Sequence, residues 1–369
     1  MIDLEGNSPT TAVLSSHASI PDAPWSPDGS WLVFTQWSDT VDAPVQLRAI
    51  RAEATSEDFP TAVDLGAPAD LVFDEHSLWQ PHGNALQLWA VTARQMVLHD
   101  LDSGTQAQWD VPSSFWSPDG RWLLSVVHDD TTQTWTTSVI DTTKPGVAPI
   151  VLFPGQSISG GTWSTDGRFL AVSVPEPREL VVLDMSSGSP QVTATRFPDL
   201  QPGSWLDSTW MLSDASSGPA FVNLDGTLIP IPEGASRVSP VPGRVAVTFR
   251  GNQGQKYLTP QGTSVPITRC NDVEEAWAPD GAHVVCWPDP KAAALYDIDA
   301  VTRTTLTLGP IGNFGRATSM QAFWSPDGAR VVFSAAGSLA VADAVTGEIH
   351  EIVPPAPGEV LNVVWRPMR

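Results

Sequence analysis

The residues of this chain that could do chemistry gather in short irregular stretches. Acids come in groups: Asp74 with Glu75, Asp129 with Asp130, and Asp272 with Glu274 and Glu275. Carboxylates on loops can hold a hard cation such as calcium through oxygen ligands, or attract a basic peptide. Near them stand residues suited to gripping a partner, namely Trp37, His128, Trp135, Arg250, Phe314 and Arg316. Trp37 and Trp135 could also stack against a carbohydrate. Enzyme signatures are thin. The stretch GQSISGG (155–161) has a serine but lacks the GxSxG spacing of a nucleophile elbow. No HExxH occurs, and the seven histidines are scattered without ligand spacing.

The bulk chemistry narrows the partners. The chain of 369 residues carries 41 acidic and 19 basic residues, a formal net charge of −22. A phosphate backbone is repelled by such a surface, which argues against nucleic acid. A cationic protein or peptide fits better. No apolar stretch approaches the 18 residues of a membrane span. The first residues, MIDLEGNSPTTAVL, hold no basic segment followed by an apolar one. They do not form a secretory signal as they stand. Periplasmic or extracellular residence would require a signal already removed, and the cytoplasm is the expectation otherwise.

Something regular must position these loops, and the sequence shows it as a recurring phrase. WSPDG stands at Trp25–Gly29, Trp116–Gly120 and Trp324–Gly328, with WSTDG at Trp163–Gly167 and WAPDG at Trp277–Gly281. An alternating apolar run follows each copy: WLVF, WLLSVV, FLAVSV, HVVCW and RVVF. Weaker copies lie at Trp79, at Trp205, near residue 238 and at Trp365. Successive copies are 33 to 54 residues apart, close to the blade period of about 40–50 residues in a β-propeller. The expected fold is all-β, with each module holding four strands, a to d. In one module, FWS ends strand a, SPDG turns the chain, WLLSVVH is strand b, TWTTSVID strand c and APIVLFP strand d. Proline presets the turn, aspartate bonds the local backbone and glycine accepts the exit conformation.

The module count favours eight blades, with seven as the alternative. One domain spans 1–369. Segments 1–20 and 359–369 read as closing strands that pair the two chain ends and leave no open edge. Large flat side chains are needed between stacked sheets, so the repeated Trp25, Trp79, Trp116, Trp163, Trp205, Trp277, Trp324 and Trp365 are expected to be structural. The off-repeat Trp37, Trp89, Trp109, Trp135 and Trp287 are the better candidates for a surface role. Strand c usually ends in Asp before a Gly or Ser turn (LHDLDSG, VLDMSSG, VADAVTG), and those acids are expected to serve the hairpin itself. Alternation of strand direction puts the short a–b and c–d turns at one end of each module. The variable b–c and d–a loops fall at the other end, where function tends to sit on a rigid scaffold.

Five near-complete copies of WSPDG followed by an apolar strand resemble the TolB-type, WD-repeat-like propeller family. The resemblance covers nearly the whole chain and implies an architectural repeat with a role in protein–protein interaction, and no catalytic residues. TolB itself carries an additional α/β domain with no counterpart here. Prolyl-oligopeptidase-like proteases carry a propeller beside a hydrolase domain, which also has no counterpart. The expected function is therefore a non-catalytic scaffold that displays loops to a protein or peptide, a cationic one being the better fit. The alternatives are an enzyme of hydrolase or lyase type with a site over the central channel, or a carbohydrate-binding module. Cys270 ends a strand d and Cys286 the following strand b, at the same end of their modules. A disulfide between them would point to an oxidising compartment.

Overall fold

The computed structural model describes residues 2–3, 10–11, 18–19, 24–36, 46–52, 62–65, 71–72, 79–90, 95–111, 114–144, 146–158, 160–215, 217–251, 254–267, 276–289, 292–307, 321–335, 338–352 and 365. All regular structure among them is β-strand. Strands pair antiparallel with their chain neighbours. Eight four-stranded sheets result, covering residues 18–64, 71–109, 114–151, 161–198, 200–230, 236–267, 276–307 and 321–352, and they are called sheets 1 to 8 below. A ninth, two-stranded sheet pairs Ile2–Asp3 with Thr10–Thr11. The expected closing partner, 359–369, lies outside the described residues except for Trp365.

Sheet 3 shows how sequence becomes structure. Strand a is Ser114–Trp116, strand b Trp122–Asp129, strand c Thr134–Asp141 and strand d Ile150–Val151. Residues alternate faces with a period of two, and both faces of strand b are buried from Trp122 to Ser125. That explains the apolar run WLL, since a sheet with neighbours on both sides must be apolar on both faces. Strand d is shorter than the run APIVLFP suggests. Phe153 takes a positive φ of 48° and packs into the core, so the chain bends away after Val151.

The chain divides into two compact units, Met1–Ser208 with Arg366–Arg369, and Thr209–Trp365. In the first, Trp31, Val33, Leu47, Leu86 and Leu88 form one core and Trp122, Leu124, Leu170, Val172 and Val181 another. Each of these joins two successive sheets. In the second, Val285, Leu295, Val331 and Phe333 do the same for sheets 7 and 8.

The repeated tryptophans take a common place in this scheme. Trp79, Trp116 and Trp205 are buried, and Trp25, Trp163, Trp277, Trp324 and Trp365 are partly buried. Three of them bond backward by one module to the residue just before the previous repeated tryptophan. Trp205 Nε1–H donates to the Thr162 carbonyl at 3.0 Å, Trp324 to Ala276 at 2.9 Å and Trp365 to Phe323 at 2.9 Å. Burying one indole removes about 150–250 Å² from water, roughly 4–6 kcal/mol of transfer free energy. The hydrogen bond adds only about 1 kcal/mol net. Packing area therefore sets the strength of the contact, and the N–H fixes its register.

Trp109, expected at the surface, is instead buried with Met96, Val111, Trp116 and Leu123. It ends strand d of sheet 2, where period-two alternation turns its side chain inward. Trp89 is half-buried.

Candidate functional site

The turn residues of the repeat are held by a polar frame in which serine does most of the bonding. In sheet 3, Ser117 Oγ donates to Asp119 Oδ1 and accepts the Trp122 N–H at 2.8 Å. The Arg121 N–H also reaches Asp119 Oδ1, at 3.1 Å, and the Gly120 N–H reaches the Ser117 carbonyl at 2.8 Å. Ser26 with Asp28, Ser164 with Asp166 and Ser325 with Asp327 repeat the pattern. These four serines are buried. The copy at Trp277–Gly281 has Ala278, also buried, in the serine's place. In the copy at Trp324–Gly328 the Ser325 hydroxyl, followed by the Ala329 N–H, lowers the Asp327 pKa. Burial opposes ionisation of Asp28, yet bonds from Ser30, Ser26 and Asn84 hold its carboxyl far below the usual range.

The c–d corner aspartates serve two masters. Asp141, Asp184 and Asp343 each use Oδ1 to accept N–H groups of their own turn. In sheets 3 and 4 the second oxygen takes an arginine from the adjacent a–b turn. Arg121 reaches Asp141 at 3.1 Å and Arg168 reaches Asp184 at 2.9 Å. Each guanidinium also lies over an aromatic ring, Arg121 over Trp122 at 4.8 Å and Arg168 over Phe169 at 4.7 Å. A third triad bridges two sheets: Arg51 lies 4.4 Å over Trp31 and bonds Asp102 at 2.9 Å. Asp102 also accepts from the Trp31 indole at 3.0 Å and from Asn84 at 2.7 Å. The polar groups at this end are thus turned on one another.

The opposite end of sheet 3 differs. The hairpin of strands b and c places His128 directly across from Trp135. Their rings lie 4.5 Å apart, tilted by 46°. His128 Nδ1 is 2.8 Å from Asp130 Oδ1. Asp129, exposed at the end of strand b, accepts the Thr131 N–H at 2.8 Å, which lowers its pKa together with further bonds from Thr132. Gln133 holds the tip with φ of 55° and donates from its amide to the Asp130 carbonyl. The Trp135 N–H is taken by Ser157 Oγ at 3.0 Å, tying the hairpin to the loop after strand d. The result is a hairpin braced by hydrogen bonds at its tip and to the loop after strand d, whose tryptophan remains 40% exposed and whose Asp130 side chain is 89% exposed.

Of the predicted binding residues, His128, Asp129, Asp130 and Trp135 are therefore brought together on one hairpin. Arg250, in the second unit, is the next-to-last residue of strand b of sheet 6 and pairs in the ladder with Ser236 and Gln255. Trp37, Asp74, Glu75, Glu274, Glu275, Phe314 and Arg316 lie outside the described residues, as does Cys270. Cys286 is fully buried and disulfide-bonded. Among the described residues no three or more His, Cys, Asp or Glu side chains gather as metal ligands, and no helix is long and apolar enough to cross a membrane. The serine of the frame and the arginines of the triads were not singled out in the sequence. The serine that follows Trp in four of the five near-complete copies was the signal for the first.

No family model matches the chain, and no curated protein matches it. Solved structures do. A eukaryotic initiation factor aligns at a TM-score of 0.52 and 13% identity, over 83% of this chain and 82% of that one. A dihydro-haem d1 dehydrogenase aligns at 0.47 and 15%, over 90% and 74%. A prolyl endopeptidase aligns at 0.45 and 12%, over 92% of this chain and 50% of that one. Likeness at such identities concerns the fold alone. The chain is an all-β, repeat-built protein of the β-propeller type.

Proposed function

We propose that the chain is a TolB-type, WD-repeat-like propeller of eight blades, one domain over residues 1–369, with its ends meeting in the closing region. It acts as a non-catalytic scaffold that binds a protein or peptide at the b–c and d–a loop end. One contrast carries this reading. At the turn end, in sheets 3 and 4, aspartate, arginine and aromatic side chains satisfy one another within the frame. At the loop end of sheet 3, a stiff hairpin holds Trp135 and Asp130 out to solvent. A surface that keeps an exposed tryptophan on a rigid support suits recognition, because little side-chain entropy is lost on binding.

Cys286 and the only other cysteine, Cys270, form the disulfide in this reading, which fits an oxidising compartment. The test is a comparison of substitutions at the two ends. A partner recovered from the native organism, identified and then titrated by calorimetry, should lose affinity with Trp135→Ser and Arg250→Glu. It should be indifferent to Thr346→Lys and Ser187→Lys at the turn end. The reverse pattern overturns the reading.

A further inference from the structure

Among the described residues one recognition unit occurs three times complete and once incomplete. In the three complete units an arginine lies over an aromatic ring at 4.4–4.8 Å and bonds an aspartate at 2.9–3.1 Å. One of these, Trp122 with Asp141 and Arg121, sits at the turn end of the very hairpin that ends in Trp135. Trp122 and His128 are six residues apart on one strand, about 20 Å at 3.3 Å per residue. At the far end the aromatic ring and the carboxylate recur as Trp135 and Asp130. Only an imidazole, that of His128, links them. That imidazole occupies one oxygen of Asp130. The second oxygen and a large part of the Trp135 ring remain open to solvent.

We propose that this hairpin is a binding site for an arginine side chain presented by the partner. It rests on the platform reading and names the chemistry by which that platform grips. The incoming guanidinium lies over the exposed surface of Trp135 as a cation–π contact and donates to the free oxygen of Asp130. His128 is the positioning residue: it braces the Trp135 ring and anchors Asp130 through Nδ1. A guanidinium fits better than an ammonium because it stacks flat on an indole while its edge donates in plane to a carboxylate. The net charge of −22 favours approach of a cationic segment over the whole surface. The hairpin then supplies the specific contact.

Fluorescence-polarisation titrations with a labelled tetra-arginine peptide, a tetra-lysine peptide and a neutral oligosaccharide as competitor test this on the full chain. The arginine peptide should bind saturably, with Kd weakened about 10-fold or more by Trp135→Leu and by Asp130→Asn, since both the stacking and the charge-assisted bond contribute. Asp130 is too exposed for its substitution to unfold the chain, so Asp130→Asn remains informative if Trp135→Leu folds poorly. The lysine peptide should bind several-fold more weakly. Equal binding by the variants overturns the proposal, as does equal affinity for lysine, absence of saturable binding, or displacement by the sugar at Trp135. These outcomes are separate from the two-ended substitution scan. A partner that needs the loop end but ignores Asp130 sinks this inference and leaves the platform standing.

Discussion

Replacing Ser325 by alanine should destabilise the protein by about 2 kcal/mol, and the structure says which half of the loss matters. The hydroxyl donates to Asp327 Oδ1 at 2.5 Å, with the Arg330 carbonyl a second acceptor at 3.1 Å, and accepts the Arg330 N–H at 2.9 Å. Asp327 is exposed, and it keeps the Ala329 N–H at 3.0 Å, so water replaces much of what it loses. The Arg330 N–H is different. It is served by an oxygen that is itself buried, with Ser325 only 5% exposed. An unmet donor in such a place costs about 1–3 kcal/mol. Asp327 should also titrate higher, because the Ser325 hydroxyl is the largest cause of its lowered pKa. Alanine stands naturally at 278 in the preceding module, which gives the internal control. Ala278→Ser should gain at most about 1 kcal/mol, since a backbone settled around a methyl recovers only part of a new bond. Urea denaturation of wild type, Ser325→Ala, Ala278→Ser and the double variant measures all four corners. A Ser325→Ala loss under about 0.5 kcal/mol, the range of an ordinary surface change, would refute the claim that serine holds the frame.

Further outcomes follow from single contacts. Gly281→Ala should cost well over about 2 kcal/mol in denaturation, because a left-handed residue alone costs 1–2. Its Cβ would in addition lie 2.4 Å from the Pro242 carbonyl oxygen. Gly328→Ala, with a similar φ of +68° but nothing nearer than 3.8 Å, should cost only the strain, and equal losses would dismiss the inter-sheet clash. Trp324→Phe should cost about 1 kcal/mol more than Trp163→Phe. Trp324 loses its indole bond to the Ala276 carbonyl, whereas the Trp163 indole N–H is buried without a partner. The Asp184 carboxyl is lowered to about 2, chiefly by the Arg168 hydrogen bond. A depressed acid stabilises above its unfolded value of about 3.9 and loses that contribution as pH falls through its folded one. The stability difference between wild type and Arg168→Ala should thus be constant above about pH 5, shrink as pH falls, and be lost below about pH 2. It should stay under about 1 kcal/mol because the pair is exposed, and a difference unmoved by acid contradicts the pairing. Reduction should lower stability by roughly 3 kcal/mol if the loop of about 16 residues between Cys270 and Cys286 is the one closed. Intact-mass measurement with and without reductant checks the bond.

What was readable in the sequence and what was not divides along contact distance. The a–b turns were legible because Trp-Ser-Pro-Asp-Gly meets its partners within five residues, as Ser117 does with Asp119 and Trp122. The c–d aspartates were legible for the same reason, each accepting from its own turn. The Trp31–Asp102 bond spans 71 residues, and the Arg244–Asp299 pair spans 55. No local pattern announces such contacts, because they depend on which turn of one sheet meets which corner of the next. Trp109 was misjudged on similar grounds. Departure from the repeat position says nothing about burial on a strand whose alternation points inward. The candidate site shows both sides of this. Trp135 and His128 were separately visible as loop-flanking residues, but their meeting follows from a register fixed by eight consecutive cross-strand pairs running back to Trp122 and Asp141. That ladder is closed at the loop end by the Gln133 N–H on the Asp129 carbonyl at 2.8 Å, and at the turn end by the Thr142 N–H on the Arg121 carbonyl at 3.0 Å, beside the frame of Ser117 and Asp119. A perturbation of the frame, such as Ser117→Ala, should therefore weaken arginine-peptide binding at a hairpin tip about 20 Å away only if it shifts the register. If binding at the tip survives a destabilised frame unchanged, the ladder between the ends is stiff enough to act as a fixed ruler. That stiffness is what a display scaffold requires.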